Sequence, residues 1–567
     1  MAIGAILCVS NVYVVLKTGW SLGVTLTSTI IAFGLFRALH AVGLTRKPVG
    51  LLETMTVSSV ASAAAFMTGG GNMAALPALL ILTGHRPDGV ALAVWFAVIA
   101  ALGVVVAIPI KRQMLDVDHL PFPLGMATAT TLRAMHEKSQ GGQQSNRLFA
   151  AAGVAALFTV FRDVRTLPMR LPGLLPLPFS FAGHTARSWT LGLDASLVLV
   201  GGGAMMAPRT AWSMFLGAIV TYVWLAPELV ATGTVAAVDY KSIVAFTVWP
   251  GAALLVSAGV FSFALQWRSG ARAILALFTA LRPRLNALAA ETSEEAPLRW
   301  FAIGLAVLAP TAVALMYALF AIPLWAGALA IPLALVMGVI AGRVTGETDL
   351  SPTKALGPVT QLFYGAVLPA HLTANLMAAS VTGGVGLHAG DLLTDLKAGQ
   401  LVGASPRRQV LAQFFGVAIG SLAVVPAFLL LVPDASVLGT PDLPAPAVMV
   451  WASVSRALSE GLSGIPHAAR GAGFVGALIG VTLAALEHLL PNRLRGWVPS
   501  AAGLGMAMVI PASTTFAMCV GAFIGTGIRR AHPGLASALV PVASGLVAGE
   551  SLFSMALALG RVFGLPV

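Results

Sequence analysis

The run Gly89–Ile110, GVALAVWFAVIAALGVVVAIPI, decides the class of this protein. It carries no ionisable residue between Asp88 and Lys111. A helix crossing the hydrocarbon core needs about 20 such residues. Lys111 and Arg112 close the run with a basic pair, as expected where a spanning helix meets the cytoplasm. Comparable full-length runs fall at 21–40, 188–207, 209–232, 242–266, 299–321, 323–342, 354–380, 408–432, 444–462, 468–490, 497–521 and 535–558. Shorter apolar pieces fall at 1–16, 50–68, 72–84, 121–135 and 147–161. We therefore expect an all-α polytopic membrane protein with about 16 transmembrane or partly spanning helices.

Composition agrees. Of 567 residues, 57% are hydrophobic and 10% charged, against about 25% charged in soluble domains. The net charge of +12 sits in short clusters such as Arg407-Arg408, Arg493/Arg495 and Arg529-Arg530. That is the pattern of cytoplasmic loops. No basic stretch is long or interleaved with aromatics, so nucleic acid is not an expected partner. Cys8 and Cys519 lie in apolar segments without metal or disulfide spacing, and read as small buried hydrophobes. The amino-terminal run reads as a first, short spanning helix rather than a cleaved leader.

The short pieces are more informative than the long ones. Gly69-Gly70-Gly71 separates 50–68 from 72–84, and Pro121-Phe122-Pro123 opens 121–135. Irregular backbone at membrane depth is tolerated only inside protein or against a watery cavity. Interrupted segments are the best sequence pointer to a transporter's binding site. A polar, basic connection at 267–298 divides the chain into a first transmembrane half, 1–266, and a second, 299–567, and is expected on the cytoplasmic side. Three echoes recur in the same order on both sides of it. Thr18-Gly19 returns as Thr345-Gly346, Thr68-Gly69-Gly70 as Thr382-Gly383-Gly384, and Gly125-Met126-Ala127 as Gly505-Met506-Ala507. We expect two related halves, with the substrate site at their interface.

Longer stretches carry a resemblance. Asn11–Ser21 (NVYVVLKTGWS), Glu53–Gly71 (ETMTVSSVASAAAFMTGGG), Leu120–Ala129 (LPFPLGMATA), Asn375–Gln413 (NLMAASVTGGVGLHAGDLLTDLKAGQLVGASPRRQVLAQ) and Gly545–Leu552 (GLVAGESL) resemble the oligopeptide transporter superfamily. The prokaryotic and yellow-stripe-like branch is the nearest in pattern. Where the family often has Glu-Asn, this chain has Glu53-Thr54. The resemblance implies a multi-pass plasma-membrane symporter, usually driven by protons, for oligopeptides or peptide-like metal chelates.

Each ionisable residue inside the membrane is a functional candidate, because its insertion costs about 2.5–3.5 kcal/mol. Glu550 is the only charge from Leu535 to Gly560. It reads either as a proton acceptor or substrate ligand, or as a structural hydrogen-bonding group. Glu53 begins an apolar helix, where a carboxylate suits the macrodipole. It stands beside Thr54, Ser58 and Ser62, and the last two share a helix face. Thr382–Lys397 reads as a Gly/His/Asp-rich break, solvated or gating. In it Asp391 and Asp395 would share a face if the segment were helical. His388 with the two aspartates lacks a firm metal geometry, so no metal site is expected. Asn375 can read a peptide backbone by donating and accepting. Pro121 and Pro123 free carbonyls beside Gly125. Gly69, Gly70, Gly383 and Gly384 complete the pathway candidates.

An intramembrane enzyme would need a catalytic constellation. His136-Glu137 is not followed by the second histidine of HExxH, and Gly19-Trp20-Ser21-Leu22-Gly23 lacks the strand context of a nucleophile elbow. No P-loop exists, so ATP is not the direct energy source. No catalytic residue or cofactor is expected. The expected partners are a small-molecule substrate, protons and the lipid bilayer. A passive channel or a carrier of another small solute is the alternative, which broken helices permit, but buried carboxylates in a two-halved chain favour alternating access.

Overall fold

A computed structural model describes residues 1–19, 24–69, 71–136, 141–164, 166–168, 170–265, 295–348 and 353–564. Gly70, residues 20–23, Glu137 and most of the expected linker (266–294) lie outside them. The protein is built from helices, as lipid requires, because only a helix satisfies its own backbone groups without water. Among the described residues nine helices are long and apolar enough to cross a membrane. The polytopic all-α architecture is borne out.

The helices fall into four sequence blocks. The first holds α1 (Ala2–Thr18), α2 (Val24–Ala41), α3 (Leu51–Ala65), α4 (Asn72–Thr83), α5 (Gly89–Lys111) and α6 (Pro123–His136). The second holds α7 (Gly141–Asp163), two small antiparallel β pairings, α8 (Leu197–Met205), α9 (Pro208–Ile219), α10 (Ala226–Ala231) and α11 (Tyr240–Leu265). The third holds α12 (Leu298–Phe320), α13 (Leu324–Thr348), α14 (Thr353–Val367), α15 (Leu372–Val402) and α16 (Pro406–Leu431). The fourth holds α17 (Pro446–Glu460), α18 (His467–Leu489), α19 (Ala501–Ala507), α20 (Ala512–Ala531) and α21 (Pro533–Val562).

Packing pairs these blocks alternately. The first block packs with the third: α5 lies on α12 and α15, and α3 on α16. The second packs with the fourth: α7 lies on α21, α8 on α20, and α11 on α18. Small residues set these crossings, as in many membrane bundles. At Gly416 a Cβ would meet the Val60 carbonyl at 2.4 Å, and at Gly549 the Ala152 carbonyl at 2.1 Å. Helix α17 sits between the two bundles, against α4, α14 and α15 on one side and α11 on the other.

Three sequence expectations are corrected. The segment 188–207 is not one span. It ends a β pairing at Gly192–Asp194 and becomes helical only over Leu197–Met205. The segment 497–521 is two helices meeting at Met508–Pro511. The chain reverses there. Gly503 faces Thr210 and Ser213 while Gly217 faces Leu504 and Ala507, so α19 runs with α9. Yet Phe516 meets Phe215 and Cys519 meets Ala211, so α20 runs against it. The free carbonyls at this tip are met by hydroxyls: Tyr222 donates to Ile510 at 2.8 Å, Tyr240 to Val509 at 2.7 Å and Thr247 to Met508 at 2.7 Å.

The third correction concerns Thr382–Lys397. This segment is neither a loop nor a break. It lies inside α15, a continuous helix of 31 residues, and is buried except for Lys397. Its glycines admit neighbours rather than turns: a Cβ on Gly384 would lie 2.6 Å from Ile99, and one on Gly386 3.2 Å from Ala341. The true break comes earlier, after α14, where Ala370 adopts φ 63°. Helical structure stops at Thr68 and resumes at Asn72, and the expected break ahead of Pro123 is present, while Gly70 lies outside the described residues.

Candidate functional site

Three buried polar centres lie within the helices. The first joins Asp391 and Asp395, one turn apart on α15. Ser62 of α3 donates to Asp391 Oδ1 at 2.7 Å. Gln413 of α16 places one amide nitrogen 3.3 Å from Asp391 Oδ2 and 2.8 Å from Asp395 Oδ2. Gln409, one turn before it, donates to the Asp395 backbone carbonyl at 2.8 Å. From Ser62 a seam of hydroxyls runs to α2: Thr25 stands 3.1 Å from Ser62, and Ser58 lies 2.9 Å from Ser28 and 2.6 Å from Thr29. The expected shared face of Ser58 and Ser62 is thus a polar lining, with Asp391 beside Ser62. Among the described residues no basic side chain pairs with either aspartate. His388, also on α15, is fully buried and neither ring nitrogen has a hydrogen-bond partner.

The second centre lies where α17 enters between the bundles. Asn375 donates to the Gln361 carbonyl. Gln361 Nε2 donates to Ser455 Oγ at 2.8 Å, and Ser455 donates to Asn375 Oδ1 at 2.6 Å. This closed ring ties α14, α15 and α17. Beside it Trp451 of α17 is inserted between two glycines. A Cβ on Gly357 would come 2.1 Å from the indole, and one on Gly71 2.6 Å. Gly71 has φ 104°, a conformation only glycine adopts without strain, so it both ends the break after α3 and makes room for the ring. Asn11 holds the other side of the break, donating to Thr68 at 2.8 Å and to the Ala65 carbonyl at 3.2 Å. Ser380, further along α15, reaches Asn72 at 3.3 Å.

The third centre surrounds Glu550. Its isolation in the sequence does not survive folding. Arg162 of α7 donates to Oε1 at 2.8 Å, as does Ser196, while the Val198 amide donates to Oε2 at 2.9 Å. The carboxylate therefore caps the start of α8 and shares Arg162 with Asp163, which takes two bonds from the same guanidinium at 2.7 Å. That arrangement is a structural clamp. Nearby, Lys17 at the end of α1 lies 3.6 Å from Asp194.

The remaining candidates are dispersed. Glu53 is exposed and accepts from the Gly50 amide at 2.9 Å, a helix-capping role at the start of α3. Thr54 returns its hydroxyl to the Gly50 carbonyl at 2.9 Å. Pro121 and Pro123 bracket Phe122, whose amide donates to the Gly346 carbonyl at 2.9 Å. Gly125 lies against α15, where a Cβ would meet the Thr394 carbonyl at 2.6 Å. At Gly69 a Cβ would meet Leu387 at 2.4 Å. Gly383 and Gly384 are buried within α15. Among the described residues no three His, Cys, Asp or Glu side chains converge as a metal-holding group.

Gln409, Gln413, Trp451 and Arg162 were not among the sequence candidates. The two glutamines carried a usable signal, being polar at i, i+4 spacing in an otherwise apolar helix. Trp451 carried none, because its meaning comes from glycines far away in the chain.

Comparison with known proteins fits this architecture. The profile of the OPT oligopeptide transporter protein family matches residues 1–560. A probable metal-nicotianamine transporter of Oryza sativa is 24% identical over 98% of this chain and 87% of its own length. The iron-phytosiderophore transporter yellow stripe 1 of Zea mays is 24% identical over 99% of this chain and 89% of its own. A putative oligopeptide transporter of Saccharomyces cerevisiae is 29% identical over 42% of this chain, a match spanning 34% of the yeast protein. With the family profile covering nearly its whole length, the chain belongs to the oligopeptide transporter family.

Proposed function

We propose that this protein is a secondary active transporter of the plasma membrane that carries small peptides or peptide-like metal chelates, driven by protons. The substrate class follows the relatives, which are named for oligopeptides, metal–nicotianamine and iron–phytosiderophore. These solutes share amide or amino-acid groups, and the Asn375–Gln361–Ser455 ring beside Trp451 has donors and acceptors suited to them.

One observation carries the mechanism. Helix α15 bears the amide ring at its start and the unneutralised aspartates further along. A buried carboxylate without a cationic partner is costly. Protonating Asp391 or Asp395 removes that cost, so arrival or loss of a proton changes which packing of α15 is favoured. The same rigid helix meets α17 at the interface between bundles. Binding at one end and proton occupancy at the other then bias one equilibrium, which is the requirement for coupling. The activity is transport, with no covalent chemistry on the solute.

The test is uptake into proteoliposomes with Asp391→Asn and Asp395→Asn. Both should lose gradient-driven accumulation while retaining exchange of substrate across the membrane. Gradient-driven accumulation by the double variant equal to that of the parent protein would refute the role of this pair.

A further inference from the structure

The end of α1 lies where the two bundles meet. The Leu16 carbonyl accepts from the Ala445 amide, just ahead of α17, at 2.8 Å. Gly19, with φ 74°, turns the chain in a tight space. A Cβ there would come 2.7 Å from Pro446 of α17 and 2.5 Å from Met506 of α19. Lys17, from the first bundle, reaches across this junction to Asp194 of the second.

That pair is loose. Lys17 Nζ stands 3.6 Å from Asp194 Oδ2, beyond hydrogen-bonding distance, and has no other carboxylate partner among the described residues. The Thr514 hydroxyl, in the first turn of α20, is 3.5 Å from the same oxygen. One carboxylate oxygen is thus shared by an ammonium and a hydroxyl, each at the limit of contact. Glu550 is the opposite case, with three donors at 2.8–2.9 Å. Its side chain is sealed at 0% exposure, whereas those of Lys17 and Asp194 keep 9% and 15% of their surface open. Arg162 is bonded to Glu550 and Asp163, so Asp194 is left to Lys17 alone.

The first turn of α20 adds further donors. Its cap is Pro511, which supplies no side-chain bond. The Ala512 amide donates to Thr190 Oγ1 at 3.0 Å. The Ser513 and Thr514 amides have no acceptor inside the helix, and meet none among the described residues. A helix start of this kind favours an anion. Ammonium, hydroxyl and amides therefore surround one weakly held carboxylate. An untethered carboxylate could approach such donors to about 2.7–2.9 Å, with both oxygens engaged.

We propose that Lys17 and the first turn of α20 bind a carboxylate of the solute, and that Asp194 fills that place until the solute displaces it. The inference rests on the reading of the protein as a carrier of peptides or peptide-like chelates, solutes that bear carboxylates. It adds a charged contact to the amide ring further along α17. Lys17 and α20 belong to different bundles, so the bound carboxylate would bridge them.

The experiment follows thermal unfolding of the purified full chain in lipid nanodiscs, titrated with trialanine, trialanine amide or iron–nicotianamine. Trialanine should raise the melting temperature, and the amide, lacking the charge, should need about tenfold more or higher still. Lys17→Gln should make the two peptides equal and weaken the response to iron–nicotianamine by a similar factor. Lys17→Arg should keep the preference for the acid. Asp194→Asn removes the internal competitor, so trialanine should act at lower concentration than in the parent. A purely structural ion pair would give a less stable Asp194→Asn protein with no gain in affinity, and that result would overturn the proposal. A parent that treats acid and amide alike would overturn it too, as would a preference that persists in Lys17→Gln. Each of these leaves the carrier reading standing. If only the chelate acts, an undiminished response in Lys17→Gln removes the subsite. A parent that responds to none of the three solutes removes the subsite and the carrier reading together.

Discussion

Glu550 shows most clearly what a sequence can and cannot disclose about a single residue. A lone carboxyl in an apolar helix was legible as unusual, and it is fully buried. Its partner Arg162 lies 388 positions away, so the pairing arises only on folding. The two readings lead to different outcomes. Glu550→Gln leaves the Arg162 guanidinium with Asp163, which takes two bonds from it at 2.7 Å, as its remaining counter-charge, so the cost should stay below the roughly 3–5 kcal/mol of a buried charge left unpaired. The melting temperature should fall clearly, while the pH dependence of residual transport stays as in the parent. Replacing Arg162 and Glu550 together with leucine removes both charges but leaves Asp163 without its guanidinium, so it should recover only part of the loss. An unchanged melting temperature in Glu550→Gln would mean that the ion pair contributes nothing. Asp391 and Asp395 failed in the opposite direction. Their spacing on one face was legible, but the surrounding glycines suggested a solvated break, and the packing of Ile99 and Ala341 against those glycines shows why the helix continues.

At the scale of elements, breaks marked by several special residues were legible, and those enforced by distant contacts were not. Gly69–Gly71 and Pro121–Pro123 announce themselves. The reversal at Met508–Pro511 carries one proline, and depends on Tyr222, Tyr240 and Thr247 to receive its exposed carbonyls. Trp451 belongs to the same class of hidden determinant. Gly357→Ala places a methyl group against its indole, and overpacking of this kind costs about 1–3 kcal/mol. We expect a lowered melting temperature and reduced uptake. Adding Trp451→Leu should relieve the clash and restore stability. If Gly357→Ala behaves as the parent protein, the indole is not confined between the two glycines.

For the whole molecule, class and spanning character were legible from composition and apolar runs. The alternate pairing of blocks was not, because apolar faces do not name their partners. With α17 between them, residues 1–136 pack mainly with 298–431, and 141–265 mainly with 467–562, so each sequence half supplies one part of both bundles. Fragments 1–266 and 267–567 expressed separately should each leave large helix faces unpaired and be degraded. Co-expressed, they should co-purify as an assembled transporter. Stable, monodisperse recovery of either fragment alone would contradict this interleaving.

Accumulation by proteoliposomes decides whether protons drive this transport. Vesicles containing the purified protein are given a labelled tripeptide or iron–nicotianamine, with the outside made more acidic than the inside. The parent protein should concentrate at least one of these solutes above its external level, and lose that ability when a protonophore collapses the gradient. The Asp391→Asn/Asp395→Asn protein should only equilibrate it. Equal accumulation by the two proteins, or accumulation by the parent that ignores the protonophore, would contradict the account.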